Sequence, residues 1–428
     1  MSLELHQVRR WSISLAVLST LSACAILSPP DRDELTRQAL AETQLPAIWK
    51  FAKTPGEFDA ETLGFELPPE LNALIREAQA NNPDLRLAAA RVDQSRSAVK
   101  LAGASLMPTL AVGAQAGESV IPSSSMAMNG LALIASWEID IWGKTRSAQA
   151  ASIEQARSAE QDTLYARQSI AAAVVKAWLT AIEANRQIQL AQEMLTLSEK
   201  QLALIQVGYK VGRDTQHDVV TNQIAVKSSR SQLLQSEQAL NSSKRALEVL
   251  IGRYPSAEIA VASALPAEIT PIPIGLPSDL AERRPDLKAA ESRFRAAFYN
   301  VEVAKKAKLP SISLVAGLGL ADNNLLVLQN DLSNPVWGIT GRVLAPLFTG
   351  GALDAQIEVK TAQQQEATVQ YARTMLNALN EIEGGLYADQ KLADRYSLVN
   401  AQLVDQQTIV ELQRVQVKIG KGNMYQLQ

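Results

Sequence analysis

The sequence predicts a mainly α-helical chain with a small β part, built as a tandem duplication of long α-hairpins and β-hairpins. Three observations predict it. Residues 144–207 hold neither proline nor glycine and keep two heptad rows, Val174, Ala181, Ile188, Leu195, Leu202 and Ala177, Ala184, Ala191, Ser198, Ile205. Four short segments alternate with period two, the pattern of strands with one apolar and one polar face. Landmarks of the first half also recur in the second. Asn82-Pro83-Asp84-Leu85 is matched by Arg284-Pro285-Asp286-Leu287 and Pro108 by Pro310, both 202 residues on. Trp142 is matched by Phe348, and Tyr165-Ala166-Arg167 by Tyr371-Ala372-Arg373, 206 residues on.

The long helix over 144–207 measures roughly 95 Å at about 1.5 Å per residue. That is wider than an ordinary globular core, and its seam rich in alanine lets helix axes approach closely. The 47% hydrophobic and 20% charged composition belongs to a folded chain, and the 5% aromatic content suits alanine-rich helices packed side by side. A net charge of −3 with no basic patch argues against nucleic acid as a partner.

Arg9 and Arg10 precede an apolar stretch, residues 11–23, that closes on Leu21-Ser22-Ala23-Cys24. This reads as a signal peptide over 1–23 with a lipobox, leaving Cys24 as an acylated first residue bound to lipid. Ala25 in place of aspartate agrees with transfer to the outer membrane. No later stretch holds eighteen uncharged apolar residues, so any passage through a membrane requires a closed β-barrel.

Residues 24–69, with prolines at 46, 55, 68 and 69, read as an extended arm carrying one short helix over 31–43. The first repeat, 70–260, follows. Its helices cover 70–80 and 84–104, with Asn82 as an N-cap and Pro83 in the first turn. A β-hairpin over 109–142 comes next, in strands 109–117 and 131–142 joined by a loop over 118–130. The long helix over 144–207, a turn at 208–213 and a helix over 214–250 complete the repeat. After a proline-rich connector the second repeat, 261–428, offers a β-hairpin over 311–348 and a long helix over 353–417. Its seam includes Met375, Ile382, Tyr396, Leu403, Val410 and Val417. Lys418-Ile419-Gly420 matches Lys210-Val211-Gly212, and the partner of helix 214–250 is expected beyond the last residue, Gln428.

The lipobox, the duplication and the run from Asn82-Pro83-Asp84-Leu85 through Ala88-Ala89-Ala90-Arg91-Val92 resemble the TolC-like outer-membrane efflux proteins. The branch most similar is the lipoprotein channels of RND-type pumps, and the resemblance covers nearly the whole chain after Cys24. It implies a homotrimer whose long helices form a periplasmic α-barrel and whose strands join in a twelve-stranded transmembrane β-barrel. It also implies two partners, a periplasmic adaptor (membrane fusion) protein and an inner-membrane RND-type pump, with no cofactor. Strand count points the same way, since four strands cannot close a pore when the smallest membrane barrels need about eight.

Two groups of residues are candidates for function. The periplasmic turn holds Gly208, Tyr209, Gly212, Arg213 and Asp218, with Gly420 and Gly422 in the second copy. Glycine permits the tight reversal, and carboxylates of Asp218 in a ring would favour cations at a constriction. Gln426 replaces the aspartate in the second copy. Trp137, Trp142, Trp337 and Phe348 lie near strand ends, where aromatic rings suit a membrane interface or pack between barrel and helices.

Catalysis is not expected. His6 and His217 are the only histidines, and no Gly-x-Ser-x-Gly, phosphate loop or metal-ligand cluster is present. The rival reading is a structural coiled-coil or adaptor-like periplasmic lipoprotein without a pore. It explains the heptads and the anchor but not two alternating hairpins at equivalent places in the duplication.

Overall fold

The structure is a computed structural model and describes residues 27–41, 48–51, 68–115, 118–119, 126–266, 277, 280–323 and 336–419. The signal segment, Cys24, Gly420 and Gly422 lie outside the described residues. In chain order the helices are α1 (Arg32–Ala39), α2 (Pro69–Asn81), α3 (Pro83–Ala104), α4 (Lys144–Lys210), α5 (Gln216–Leu250), α6 (Leu280–Arg283), α7 (Pro285–Lys306) and α8 (Ala352–Lys418). The strands are β1 (Thr109–Gln115), β2 (Glu118–Ser119), β3 (Met126–Ile139), β4 (Ser311–Asn323) and β5 (Val336–Leu344). No described helix is long and apolar enough to cross a membrane.

The chain divides into two compact units, described separately. The first comprises residues 1–44, 90–162 and 281–376. Its sheet has the order β1-β3-β4-β5, antiparallel throughout, with β2 paired to the start of β3. Each repeat supplies one hairpin, and the repeats meet where β3 pairs with β4 over twelve residue pairs, from Met128 opposite Asn323 to Ile139 opposite Ile312. The helical part follows the strands in the same order. Arg96 of α3 meets Glu160 of α4 at 2.8 Å, Lys306 of α7 meets Ser147 of α4 at 2.8 Å, and Lys308 just after α7 meets Asp354 of α8. The N-terminal arm is tied down here. Leu35 of α1 is buried, Arg32 pairs with Glu291 at 2.8 Å, and the hydroxyls of Thr36 and Tyr371 lie 3.0 Å apart.

The second unit comprises residues 45–89, 163–280 and 377–428. Leu71, Ala78, Val174, Trp178, Ile182, Leu247, Ile251 and Ile259 form its core. Each large apolar side chain buried there contributes about 1.5–3 kcal/mol. The two heptad rows of α4 are all buried or half-buried, and Ser198 and Ser229 meet across α4 and α5 at 2.9 Å. On α8 the middle of the corresponding row is open, with Tyr396 68% and Leu403 53% exposed, while Met375 at its start is buried and Ile382 and Val417 are half-buried. Among the described residues no helix follows α8 to cover it.

Several boundaries differ from the sequence expectation. β3 begins at Met126 rather than 131 and ends at Ile139, and β5 stops at Leu344. Trp142 and Phe348 therefore lie beyond the strands. The 118–130 loop narrows, because Glu118 and Ser119 pair with Ala127 and Met126. α4 runs three residues further, to Lys210, and α5 starts two residues later, at Gln216. The late start has a local cause. Thr215, not a residue before Asp214, is the N-cap, and a Thr-x-x-Asp capping box fixes it there.

Candidate functional site: an open sheet and a hairpin tip

The register of the sheet sorts its side chains. One face carries Leu110, Ala135, Ala316 and Ile339 in one row, then Val112, Leu133, Leu318 and Trp337 in the next. Trp137 with Leu314, and Ile139 with Ile312 and Val343, continue that apolar face. The opposite face carries Thr109, Ser136, Val315 and Thr340, then Glu138, Ser313 and Arg342, with Ile134 also on it. The apolar face is uncovered: Leu110 is 68%, Val112 70%, Ile339 69% and Trp337 72% exposed. Among the described residues β1 and β5 each pair on one side only. Long apolar edges of this kind are pairing templates, and a sheet that wide and bare needs either lipid or protein against it.

Where the strands give way to helices, Asp140 caps α4. Its carboxylate accepts from the backbone N–H of Thr145 and Arg146 at 3.0 and 2.9 Å and from Arg146 Nε at 3.2 Å. Burial pushes its pKa up, but those donors outweigh it and hold the carboxyl below the usual range. Trp142 donates its indole N–H to the carbonyl of Pro310 at 2.7 Å, tying α4's start to the α7–β4 junction. Trp137 does likewise to Leu106 at 2.9 Å. An open groove of about 280 Å³ lies here, lined among others by Glu138, Trp142, Lys306, Pro310, Leu344 and Pro346. Of the four aromatics singled out by the sequence, two are thus tethered. Trp337 stands bare on the apolar face at 72% exposure, and Phe348 is 91% exposed.

The turn between α4 and α5 is built from backbone rules. The N–H of Gly212 reaches the carbonyl of Tyr209 at 3.1 Å and that of Arg213 reaches Gly208 at 2.9 Å, with Gly212 at φ +78°. These are the two bonds of a Schellman motif, whose left-handed residue favours glycine. Gly208 leaves space for a side chain instead. The Asp214 carboxylate folds over it, so that a Cβ there would stand 1.6 Å from Asp214 Oδ2. The Asp214–Gly208 contact is not legible in the sequence, because nothing in the spacing shows which side chain a bare Cα receives.

Asp218 has a structural task. Its Oδ2 accepts from the Thr215 backbone N–H at 2.8 Å and from the Thr215 hydroxyl at 2.6 Å. Those bonds hold its carboxyl below the usual range. It remains exposed and charged, so it faces solvent at the turn as well as closing the capping box. Around it Val207, Tyr209 and Val211 are 59%, 46% and 72% exposed, an apolar rim on a polar turn. Among the described residues no cluster could hold a metal ion.

The profile described as outer membrane efflux protein matches residues 74–253 and 276–428. The pyoverdine export outer membrane protein OpmQ of Pseudomonas putida is 30% identical over 356 residues, covering 80% of this chain and 75% of that protein. The cation efflux system protein CusC of Escherichia coli is 27% identical over 364 residues, covering 84% and 78%. Among solved structures, the outer-membrane channel OprN superposes with a TM-score of 0.81 at 21% identity over 94% of this chain and 91% of that one. The outer membrane protein VceC of Vibrio cholerae gives 0.74 at 26% identity over 84% and 88%.

Proposed function

The chain belongs to the outer membrane efflux protein family and is an outer-membrane efflux channel component, and from that premise we propose that it works as a passive homotrimeric conduit from periplasm to exterior. The observation that carries this reading is the sheet, with four principal strands, one apolar face and two unpaired edges. A pore needs about eight strands at least, and three copies supply twelve. The apolar face then meets lipid, the polar face lines the lumen, and no edge is left open.

A conduit of this kind has no energy source of its own. A periplasmic adaptor and an inner-membrane RND-type pump supply energy and choose the cargo. OpmQ is named for pyoverdine and CusC for cations, and neither cargo is carried over to this chain. The tip residues Gly208, Tyr209, Gly212, Arg213 and Asp218, with Gly420 and Gly422 of the second copy, form the docking and gating end. Their exposed rim of Val207, Tyr209 and Val211 supports docking. Trp137 and Trp337 sit at the membrane boundary.

Acylation of Cys24 adds an anchor, at about 0.8 kcal/mol per buried methylene. It is not what keeps the protein in the membrane. Cys24→Ser is expected to stay in the membrane fraction after carbonate washing and to need detergent for extraction, because the sheet remains. Recovery of that variant as a soluble periplasmic monomer would remove the barrel.

The test of the whole reading is native mass spectrometry in detergent combined with planar-bilayer recording on the full-length protein. A lipidated trimer with discrete ion conductance is the expected result. A monomer without conductance would overturn it.

A further inference from the structure

Charge on the polar face of the sheet is gathered at one level. Beyond the row of Glu138, Ser313 and Arg342, the next three rows of β1, β3, β4 and β5 on that face carry no charged residue. Toward the helices lies the groove, where Lys144 and Lys306 stand with Glu138, Ser311 and Leu344 of the same alternation.

The acids at this level are already taken. Glu138 meets Lys144 at 2.6 Å, Asp140 meets Arg146 at 3.2 Å, Glu302 meets Lys305 at 2.9 Å, and Asp354 meets Lys308. Two bases are left over. Lys306 donates to Ser147 Oγ at 2.8 Å and to the carbonyl of Gly143 at 3.4 Å, both neutral acceptors. Arg342 is exposed, and its side chain makes no ion pair or hydrogen bond among the described residues. The other open edge brings no remedy. Residues 97–115, which include the end of α3 and all of β1, hold neither Asp nor Glu. Another copy set against β5 by that edge therefore leaves Arg342 unneutralised.

We infer that Arg342, with Lys306 behind it, gives the base of the barrel lumen an anion-favouring girdle, so that solutes bearing a carboxylate, phosphate or sulfate group pass it more readily than cations. This rests on the trimer proposed above, in which the polar face lines the lumen, and adds the charge which that face presents. A trimer repeats the two unmatched charges three times at one level, and rings of Arg or Lys favour anions in pores. The reach of the girdle depends on salt. The Debye length is about 10 Å at 0.1 M and about 30 Å at 0.01 M, so the preference strengthens as salt falls.

The test reads the potential at Ser313, which lies opposite Arg342 in the same row. The full chain carrying Ser313→Cys is treated in membranes with an anionic and a cationic methanethiosulfonate reagent of similar size. Each rate is divided by that reagent's rate with a free thiol, and the unsubstituted chain serves as the blank for Cys24. At about 0.01 M salt the anionic reagent should then be about fivefold faster, the ratio for a unit charge roughly 8 Å away in water. Adding Arg342→Gln should bring the ratio close to one, Arg342→Lys should keep it, and Lys306→Gln should lower it by a smaller factor. Salt at about 1 M should erase it. Equal normalised rates with Arg342 in place, or a ratio that Arg342→Gln does not change, would overturn the girdle and leave the channel standing. If neither reagent reached Ser313→Cys, the polar face would not line a water-filled lumen, and the channel reading beneath would fall with it.

Discussion

Gly208→Val is expected to weaken adaptor docking about thirtyfold, on the order of 2 kcal/mol, while trimer yield and membrane insertion stay at wild-type level. The Asp214 carboxylate occupies the space the new side chain would take. A Cβ at Gly208 would stand 1.6 Å from Asp214 Oδ2 and 2.7 Å from its Cγ. Valine must therefore evict the carboxylate, which is tucked in at 12% exposure beside Arg213 at 3.5 Å. The backbone is drawn in too. The carbonyl of Gly208 accepts from both Arg213 and Asp214, at 2.9 and 3.3 Å, so crowding there spreads the whole reversal and the rim of Tyr209 and Val211. Gly212→Ala gives a graded comparison. It meets nothing within 4 Å, and its cost is the left-handed φ of +78° alone, about 1–2 kcal/mol for a residue with a Cβ. The measurement is titration of the adaptor onto immobilised trimer, with native gels run in parallel. Unchanged adaptor affinity in a Gly208→Val trimer would show that the tip is not the docking surface.

Features that repeat along the chain are legible in the sequence. The heptad rows from Val174 to Ile205 pack as periodicity requires, and both hairpins alternate as expected. Features made by one side chain and distant backbone are not. Alternation marks Asp140 only as a polar strand residue, yet it caps α4 through two backbone N–H groups. The start of α5 differs from expectation by two residues although Thr215-x-x-Asp218 is present, because Asp214 competes as an acidic first-turn residue and is occupied at Gly208 instead. Phe348 illustrates a different limit. Trp142 at the matching place is tethered within its own chain, whereas Phe348 is 91% exposed. Sequence periodicity tells which face is apolar but not whether the cover comes from lipid, a neighbouring helix or another copy.

Glu248→Ala is expected to destabilise the second unit by about 3 kcal/mol, since three backbone donors lose a charged acceptor. α5 ends with the same device as α4. Gly252, at φ +80°, donates to Val249 at 3.1 Å and Arg253 donates to Glu248 at 2.8 Å, a second Schellman motif. Here the helix end is also clamped by a side chain. The Glu248 carboxylate, on a residue only 2% exposed, accepts from the N–H groups of Ala257, Glu258 and Ile259 at 2.6, 2.8 and 3.0 Å. The bonds hold Ala257 at φ +64°, a conformation a Cβ resists, and bring Ile259 into the core beside Trp178 and Leu247. Burial pushes the Glu248 pKa up, but the three N–H groups and Ser256 outweigh it and hold the carboxyl below its ordinary 4.5. A depressed folded value gives stability that is fully present above the unfolded value and is lost as pH falls through the folded one. Urea unfolding should therefore show the wild-type advantage over Glu248→Gln at pH 7 and a narrowing of it below about pH 4.5. The glutamine variant sets its amide NH₂ against one of the N–H donors, so it loses stability even at neutral pH. Ala257→Gly should do the opposite, relieving strain of about 1 kcal/mol at the same turn. A wild-type advantage that did not change with pH would mean that the clamp acts through shape alone, and equal stability of Glu248→Ala and wild type would remove the clamp itself.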